Sequence, residues 1–195
     1  MILLIDNYDS FTYNIYHCLG LYKRDIKISR NDEITIKDIK DLSPSHIIIS
    51  SGLGQAEDAG ISMECVRSFS GLIPILGVGL GHRVIARVFN EKLIEAKNIL
   101  HGKSACVHIA NACPIFKGLS PVITAGLYHS LLVDKKSLGE DLRIIAELEE
   151  GDIMGLCHVA HLTFGIEFHP QSILTPKGEK VFENFLRLGQ YAKVY

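Results

Sequence analysis

No stretch of five lysines or arginines occurs in this 195-residue sequence, and 20 Lys+Arg stand against 22 Asp+Glu for a net charge of −2. Phosphate binding needs a concentrated basic face, so nucleic acid and polybasic membrane binding are excluded as the main business of the chain. No apolar run approaches the ~18 residues that a membrane span requires, which points to a soluble protein. The opening run Met1-Ile2-Leu3-Leu4-Ile5 stops at Asp6, without a preceding positive charge or a cleavage-like segment, and reads as a buried strand. Paired cysteines are also missing. Cys18, Cys65, Cys106, Cys113 and Cys157 are odd in number and lack C-x-x-C spacing, which suits a reducing cytoplasm better than a disulfide framework or a zinc site. Their expected role is that of small core hydrophobes. No metal or cofactor is expected, and there is no repeat, low-complexity tract or linker.

What is present is enough for one core. At 47% hydrophobic residues, a chain of this length should bury roughly 70% of its unfolded surface, so a single domain over 1–195 needs no staple. Apolar runs alternate with helix-like segments and with turns rich in Gly, Pro and Asp, which is the rhythm of an α/β fold. Leu3 to Ile5 precedes Asp6-Asn7-Tyr8-Asp9-Ser10, a set of N-cap candidates for a helix from Phe11 to Leu21. Strands are expected at Ile26 to Ser29, Ile47 to Ile49, Ile73 to Val78, Ile144 to Leu148, Met154 to His158 and Thr163 to Phe168. Helices are expected near Gly60 to Ser70, Leu80 to Phe89 and Pro176 to Leu188, with a short amphipathic piece around Ile34, Ile36 and Ile39. Between Lys92 and Val133 the pattern is strand-like but irregular, with turns at Gly102, Pro114 and Pro121. The glycine-rich loop Ser50-Ser51-Gly52-Leu53-Gly54 follows an apolar strand. That makes it either a plain tight turn or part of a ligand site, because open α/β sheets bind ligands at the carboxyl ends of their strands.

Gly77-Val78-Gly79-Leu80-Gly81-His82 stands where a strand turns into a helix. This is the layout of a nucleophile elbow, whose flanking glycines permit a tight turn that lifts the central side chain above the sheet. The central residue here is Gly79, which has no side chain. A helix N-terminus can still cradle an anion, so a phosphate loop is the rival reading. The spacing is G-x-G-x-G rather than G-x-G-x-x-G, and no acidic residue ends a following strand about twenty residues on, so the dinucleotide signal is weak.

The chain resembles the class I glutamine amidotransferases, most closely the glutaminase subunits of anthranilate synthase and aminodeoxychorismate synthase. The likeness is carried by Leu4-Ile5-Asp6-Asn7-Tyr8-Asp9-Ser10-Phe11-Thr12-Tyr13-Asn14, Arg30-Asn31-Asp32-Glu33-Ile34, Glu57-Asp58-Ala59-Gly60-Ile61-Ser62 and Ile73 to Val78. It continues through Leu80-Gly81-His82, His101-Gly102-Lys103, Tyr128-His129-Ser130-Leu131, Phe168-His169-Pro170 and Ser172-Ile173-Leu174. It implies a flavodoxin-like, mixed, mainly parallel sheet flanked by helices. It also implies release of ammonia from glutamine to a chorismate-binding synthase large subunit. In that family a cysteine thiolate attacks the amide, a histidine relays the proton, a glutamate orients the histidine, and two backbone N–H groups stabilise the oxyanion. The resemblance puts the nucleophile at Gly79, the histidine at His169 and the glutamate at Gln171, with oxyanion donors at Gly52 and Leu80. Substrate contacts fall on Leu53, Gly54, Arg83, Ser130 and Leu131.

The departures concentrate at the chemistry. Gly79 replaces the cysteine, Gln171 the glutamate, and Arg83 the usual glutamine-contacting residue; the S-P-G-P-G loop reads Ser50 to Gly54, and Leu127 stands where an arginine is common. The five cysteines, along with His82, Lys103 and His129, are expected to be structural. The leading expectation is a partner of a chorismate-using synthase that has lost glutaminase activity. The alternatives are a sensor of glutamine or an anion and a working amidotransferase subunit.

Overall fold

The computed structural model describes residues 1–189, so the last six residues of the domain expected over 1–195 lie outside the described residues. The order of elements is β1 (Ile2–Asn7), α1 (Thr12–Gly20), β2 (Ile26–Arg30), α2 (Ile36–Leu42), β3 (His46–Gly52), α3 (Ser62–Phe69), β4 (Ile75–Val78) and α4 (Leu80–Val88). Then follow β5 (Leu93–Ile109), β6 (Val122–Val133), β7 (Leu142–Leu148), β8 (Ile153–His158), β9 (Thr163–Ile166) and α5 (Glu179–Leu186). The nine strands form one mixed sheet in the order β2-β1-β3-β4-β9-β8-β7-β5-β6. Pairing is parallel from β2 through β9 and antiparallel from β9 through β6.

The parallel half explains its own apolar runs. Strands covered on both faces need hydrophobes at every position, and Ile2 to Ile5 and Ile47 to Ile49 are all fully buried. Alternation sorts them by face. Ile2, Leu4, Ile48 and Leu76 pack with Ile15 and Leu19 of α1 and Val181, Phe182 and Phe185 of α5. Leu3, Ile5, Ile47, Ile49 and Ile75 pack on the other side with Cys65, Val66 and Phe69 of α3 and Val84 and Ile85 of α4. Each such side chain contributes roughly 1.5–3 kcal/mol by burial, so the sandwich fixes where the strand ends lie.

The structure corrects four expectations. None of Asp6 to Ser10 caps α1: its N-cap is Phe11, in helical conformation and without a side-chain cap. The polar residues are drawn elsewhere, with Thr12 donating to Asp6 Oδ1 at 2.7 Å and Ser51 donating to Asp9. Gly102 is not a turn. It is one extra residue in β5 between His101, opposite Tyr128, and Lys103, opposite Leu127, and its φ of +70° makes it a bulge that glycine accommodates. Cys106 is exposed rather than a core residue, because β5 leaves one face open at that point. The short piece at Ile34 becomes a helix only from Ile36, where a reciprocal cap forms: Asp38 N–H donates to Thr35 Oγ1 at 3.2 Å and Thr35 N–H to Asp38 Oδ2 at 3.0 Å.

Candidate active site

At the carboxyl ends of β1, β3 and β4 the chain turns three times within a small space. The β4 turn runs straight into α4 at Gly79, whose φ of +55° and ψ of −108° lie where an L side chain is strained. Gly79 N–H donates to Ile166 O at 2.8 Å, and Gly79 O accepts from Arg83 N–H at 3.1 Å, so both sides of the turn are held. The flanking glycines are required by contact rather than by dihedral. A Cβ on Gly77 would lie 2.3 Å from Gly81 O, and one on Gly81 would lie 2.4 Å from Ile49 O. The elbow therefore persists although its central side chain is absent. A Cβ on residue 79 would sit 3.1 Å from His169 Nε2 and 3.0 Å from Ser51 Cβ.

His169 reaches that point from the loop after β9. Its N–H donates to Gly126 O at 2.9 Å, and its own carbonyl accepts from Thr175 Oγ1 at 2.6 Å. Tyr128 and Phe11 box the ring, with centroids 4.7 and 5.7 Å away. The amide nitrogen of Gln171 lies 3.0 Å from His169 Nδ1, while Gln171 Oε1 is buried without a hydrogen-bond partner among the described residues. An amide orients the ring but supplies no negative charge. Burial, followed by the charge of Arg83, pulls His169 down to about 3, so the imidazole is neutral at physiological pH and a weak base.

Behind the elbow lies a group of buried polar side chains. Arg83 Nε is 3.7 Å from Glu167 Oε2, and His82 Nε2 is 3.9 Å from the same oxygen. Those are ion-pair distances, too long for hydrogen bonds. Burial pushes Glu167 up to about 8 against the opposing pull of Arg83. Burial, then Arg83, lowers His82 to about 3 and His129 to about 4. Glu167 was missed in the sequence. Its signal was a lone acid in the apolar stretch Gly165-Ile166-Glu167-Phe168, next to the histidine already singled out.

The expected substrate contacts do converge. A cavity of about 270 Å³ is lined by Gly52, Leu53, Gly54, Arg83, Ser130 and Leu131, joined by Gln55, Glu95, His101 and Tyr128. Leu80 opens α4 beside Gly52, where a Cβ on Gly52 would come within 2.9 Å of Leu80 Cδ2. Leu53 is 92% exposed and edges the mouth. Gly79, His169 and Gln171 do not line this cavity. A second cavity of about 800 Å³ opens at the amino ends of the strands among Met1, Phe69, Leu72 and Pro74, far from the elbow. The smaller one is beside the elbow, since it is lined by Arg83 of the first turn of α4, by the Gly52–Gly54 loop and by Tyr128, which packs on the His169 ring. Another omission from the sequence reading is Asn7. Its N–H donates to Ser50 Oγ and its Nδ2 to Ser50 O, both at 2.9 Å, while its Oδ1 accepts from Asn31 Nδ2 and Ser62 Oγ at 3.0 Å. It pins the glycine-rich loop to β1. None of the five cysteines lies at the elbow; Cys65 and Cys113 are buried and raised to about 12 by burial.

Comparison with known proteins places this geometry. Residues 3–188 match the family model described as glutamine amidotransferase class-I. The chain is 49% identical over 189 residues to the bifunctional protein TrpGD of Thermotoga maritima, covering 96% of this chain but only 32% of that protein. It is 42% identical over 186 residues to aminodeoxychorismate/anthranilate synthase component 2 of Bacillus subtilis, covering 95% of each. Among solved structures, a Thermotoga maritima glutamine amidotransferase superposes with a TM-score of 0.69 at 15% identity, over 87% of this chain and 75% of that one. A Thermoplasma acidophilum protein described as belonging to GMP synthase superposes with a TM-score of 0.83 at 24% identity, over 95% of this chain and 91% of that one.

Proposed function

The chain belongs to the class I glutamine amidotransferases, and from that premise we propose that it is the small subunit of a chorismate-using synthase of the anthranilate or aminodeoxychorismate type, unable to run the covalent glutaminase step itself. The first half of this reading is supported by the likeness to component 2 proteins along nearly their whole length. The second half is carried by one observation: residue 79 is glycine at the point faced by His169 Nε2.

The chemistry turns on that atom. In a working site a thiolate at position 79 would attack the glutamine side-chain amide, and His169 would pass a proton to the departing ammonia. Backbone N–H groups at Gly52 and Leu80 would receive the developing oxyanion. Here the oxyanion end of the site keeps its backbone, yet there is no atom to form the acyl bond. Gln171 holds the ring without the charge that stabilises an imidazolium. Loss of a triad nucleophile costs on the order of 10⁶ in turnover.

The competing reading is an active amidotransferase subunit. It is favoured by the intact elbow conformation and by the names that the relatives carry. One experiment separates the two. The chain is mixed with chorismate-using synthase large subunits, the complex is isolated by gel filtration, and product formation is measured with glutamine and with ammonium. The proposal expects co-elution and product from ammonium alone. Glutamine-driven turnover near the usual enzymatic rate of about 10 s⁻¹ would establish the competing reading instead.

A further inference from the structure

We propose that the turn joining β8 to β9 is an acid-released latch on the large cavity at the amino ends of the strands: His158 holds the turn shut while its Nδ1 carries no proton, and protonation there lets His161 leave the cavity wall. The latch lies at the opposite end of the sheet from the elbow, so it is independent of the glutamine site and of the reading above.

The turn, residues 159–162, is pinned at both shoulders. Val159 N–H donates to Asp141 O and Ile75 N–H donates to Leu162 O, each at 2.9 Å. Its centre depends on one side chain. The N–H groups of Ala160 and His161 both donate to His158 Nδ1, each at 3.0 Å. A backbone N–H can only donate, so Nδ1 accepts from both and the proton of the neutral ring belongs on Nε2. The imidazole thereby does what an Asn or Asp oxygen does in a turn. A proton arriving at Nδ1 would meet two donors, and both bonds would be lost.

His161 carries that state to the cavity. Its ring lies nearly parallel to the His158 ring, with centroids 3.9 Å and planes 4° apart. Its Nδ1 is 3.0 Å from Ser70 Oγ, which is itself 2.9 Å from Thr163 Oγ1. The same ring closes on Gly71, where a Cβ would come within 3.0 Å of His161 Nε2. His161, Gly71, Ala160 and Leu162 all line the cavity of about 800 Å³, with Phe69 and Ile73 among its apolar walls. Release of His161 would therefore widen the mouth onto apolar surface. Close parallel contact suits two neutral rings and is repulsive for two imidazolium ions. The groups that face His158 are His161 in its own turn, Asp141 just before β7, and the uncharged ring of Phe89 at the end of α4, 4.8 Å away. Burial, then the charge of His161, holds His158 below its ordinary 6.5, with Asp141 pulling the other way. A histidine depressed in this way contributes its stability above 6.5 and loses it as pH falls toward the folded value, so acid opens the latch.

The test is nuclear magnetic resonance of the full chain from about pH 8 to pH 5. Imidazole nitrogen shifts at the alkaline end should show the His158 proton on Nε2 and a bare Nδ1. As pH falls below 6.5, the Ala160 and His161 amides should lose protection by up to about tenfold per pH unit, after correction for the intrinsic pH dependence of exchange, because one proton is linked to opening. Cross-peaks between the His161 ring and the Gly71 protons should fade in step. His158→Asn supplies an oxygen that can accept from both N–H groups but cannot titrate. In that variant the two amides should be equally protected at both ends of the range. A proton on Nδ1 at pH 8, unchanged protection or persistent His161–Gly71 cross-peaks at pH 5, or the same acid response in folded His158→Asn would overturn the proposal. Should His158→Asn fail to fold, the tautomer, the exchange profile and the cross-peaks of the native chain decide it.

Discussion

Nε2 of His169 stands 3.1 Å from the place where residue 79 would begin a side chain, and residue 79 has none. The histidine is held there by Gln171 and by backbone bonds that do not involve position 79. Its placement is therefore independent of any nucleophile, and the site can be rebuilt in parts.

Gly79→Cys should introduce a thiol within reach of His169 at a cost of roughly 1 kcal/mol, since a φ of +55° is strained for any L residue and the new Cβ would press on Ser51. Melting temperature should fall, and glutaminase activity with the partner should stay low. Adding Gln171→Glu should raise activity by more than the product of the separate effects, because triad members act as a unit. Steady-state ammonia release from the single and double variants checks this. Full activity from Gly79→Cys alone would show that a neutral residue behind His169 is sufficient.

Stability should peak near neutral pH. His82, His129 and His169 have folded values of about 3, 4 and 3 against 6.5 when unfolded. Below pH 6.5 the unfolded chain binds protons that the folded chain refuses, so stability falls as pH drops toward those values. Glu167 acts in the other direction. Raised from 4.5 to about 8, it keeps its proton when folded after the unfolded chain has lost it, so stability declines as pH rises between those values. Glu167→Gln should flatten the alkaline side and steepen the fall between about pH 6.5 and 4.5, where Glu167 opposes the three histidines. Calorimetric melting from about pH 4 to pH 9 measures both limbs.

Asn7→Ala should lower stability by about 2–4 kcal/mol. It deletes the side-chain bonds to Ser50 O, Asn31 and Ser62 and leaves those buried groups without their partner. Chemical denaturation gives the change, and amide exchange in the Ser50–Gly54 loop should accelerate in the same variant.

Thiol labelling under native conditions should modify Cys106 first, because it is exposed. Cys65 and Cys113 should stay inert until unfolding, since burial both covers them and holds their thiols protonated. Early labelling of either buried residue would show that its part of the core opens.

The parallel half of the sheet was legible because each strand is covered on two sides and cannot avoid an apolar run. The strands of the β7–β8 hairpin were equally plain from the apolar runs Ile144 to Leu148 and Met154 to His158. Gly102 misled because glycine marks a bulge as readily as a turn, and only the register against β6 tells them apart. At the site, Gly79 falls at the centre of the elbow motif, while Arg83, His169 and Gln171 fall at positions that the family resemblance picks out. The companions Glu167 and Asn7 did not stand out, because their importance lies in contacts across the fold: Glu167 with Arg83 from another element, and Asn7 with Ser50, Asn31 and Ser62. Neither distance is encoded in a local pattern.

The two glycines at 77 and 81 fit against backbone so closely that neither could carry a methyl group without moving α4 off β3 and β4. Their tightness has a bearing on how such a chain can change. Positions 77 and 81 bear the architecture of the elbow, while position 79 bears only its reactivity. A lineage can therefore discard the reaction by a change at the tip while every surface that a partner would grip stays in place, and the reverse order of loss is closed to it.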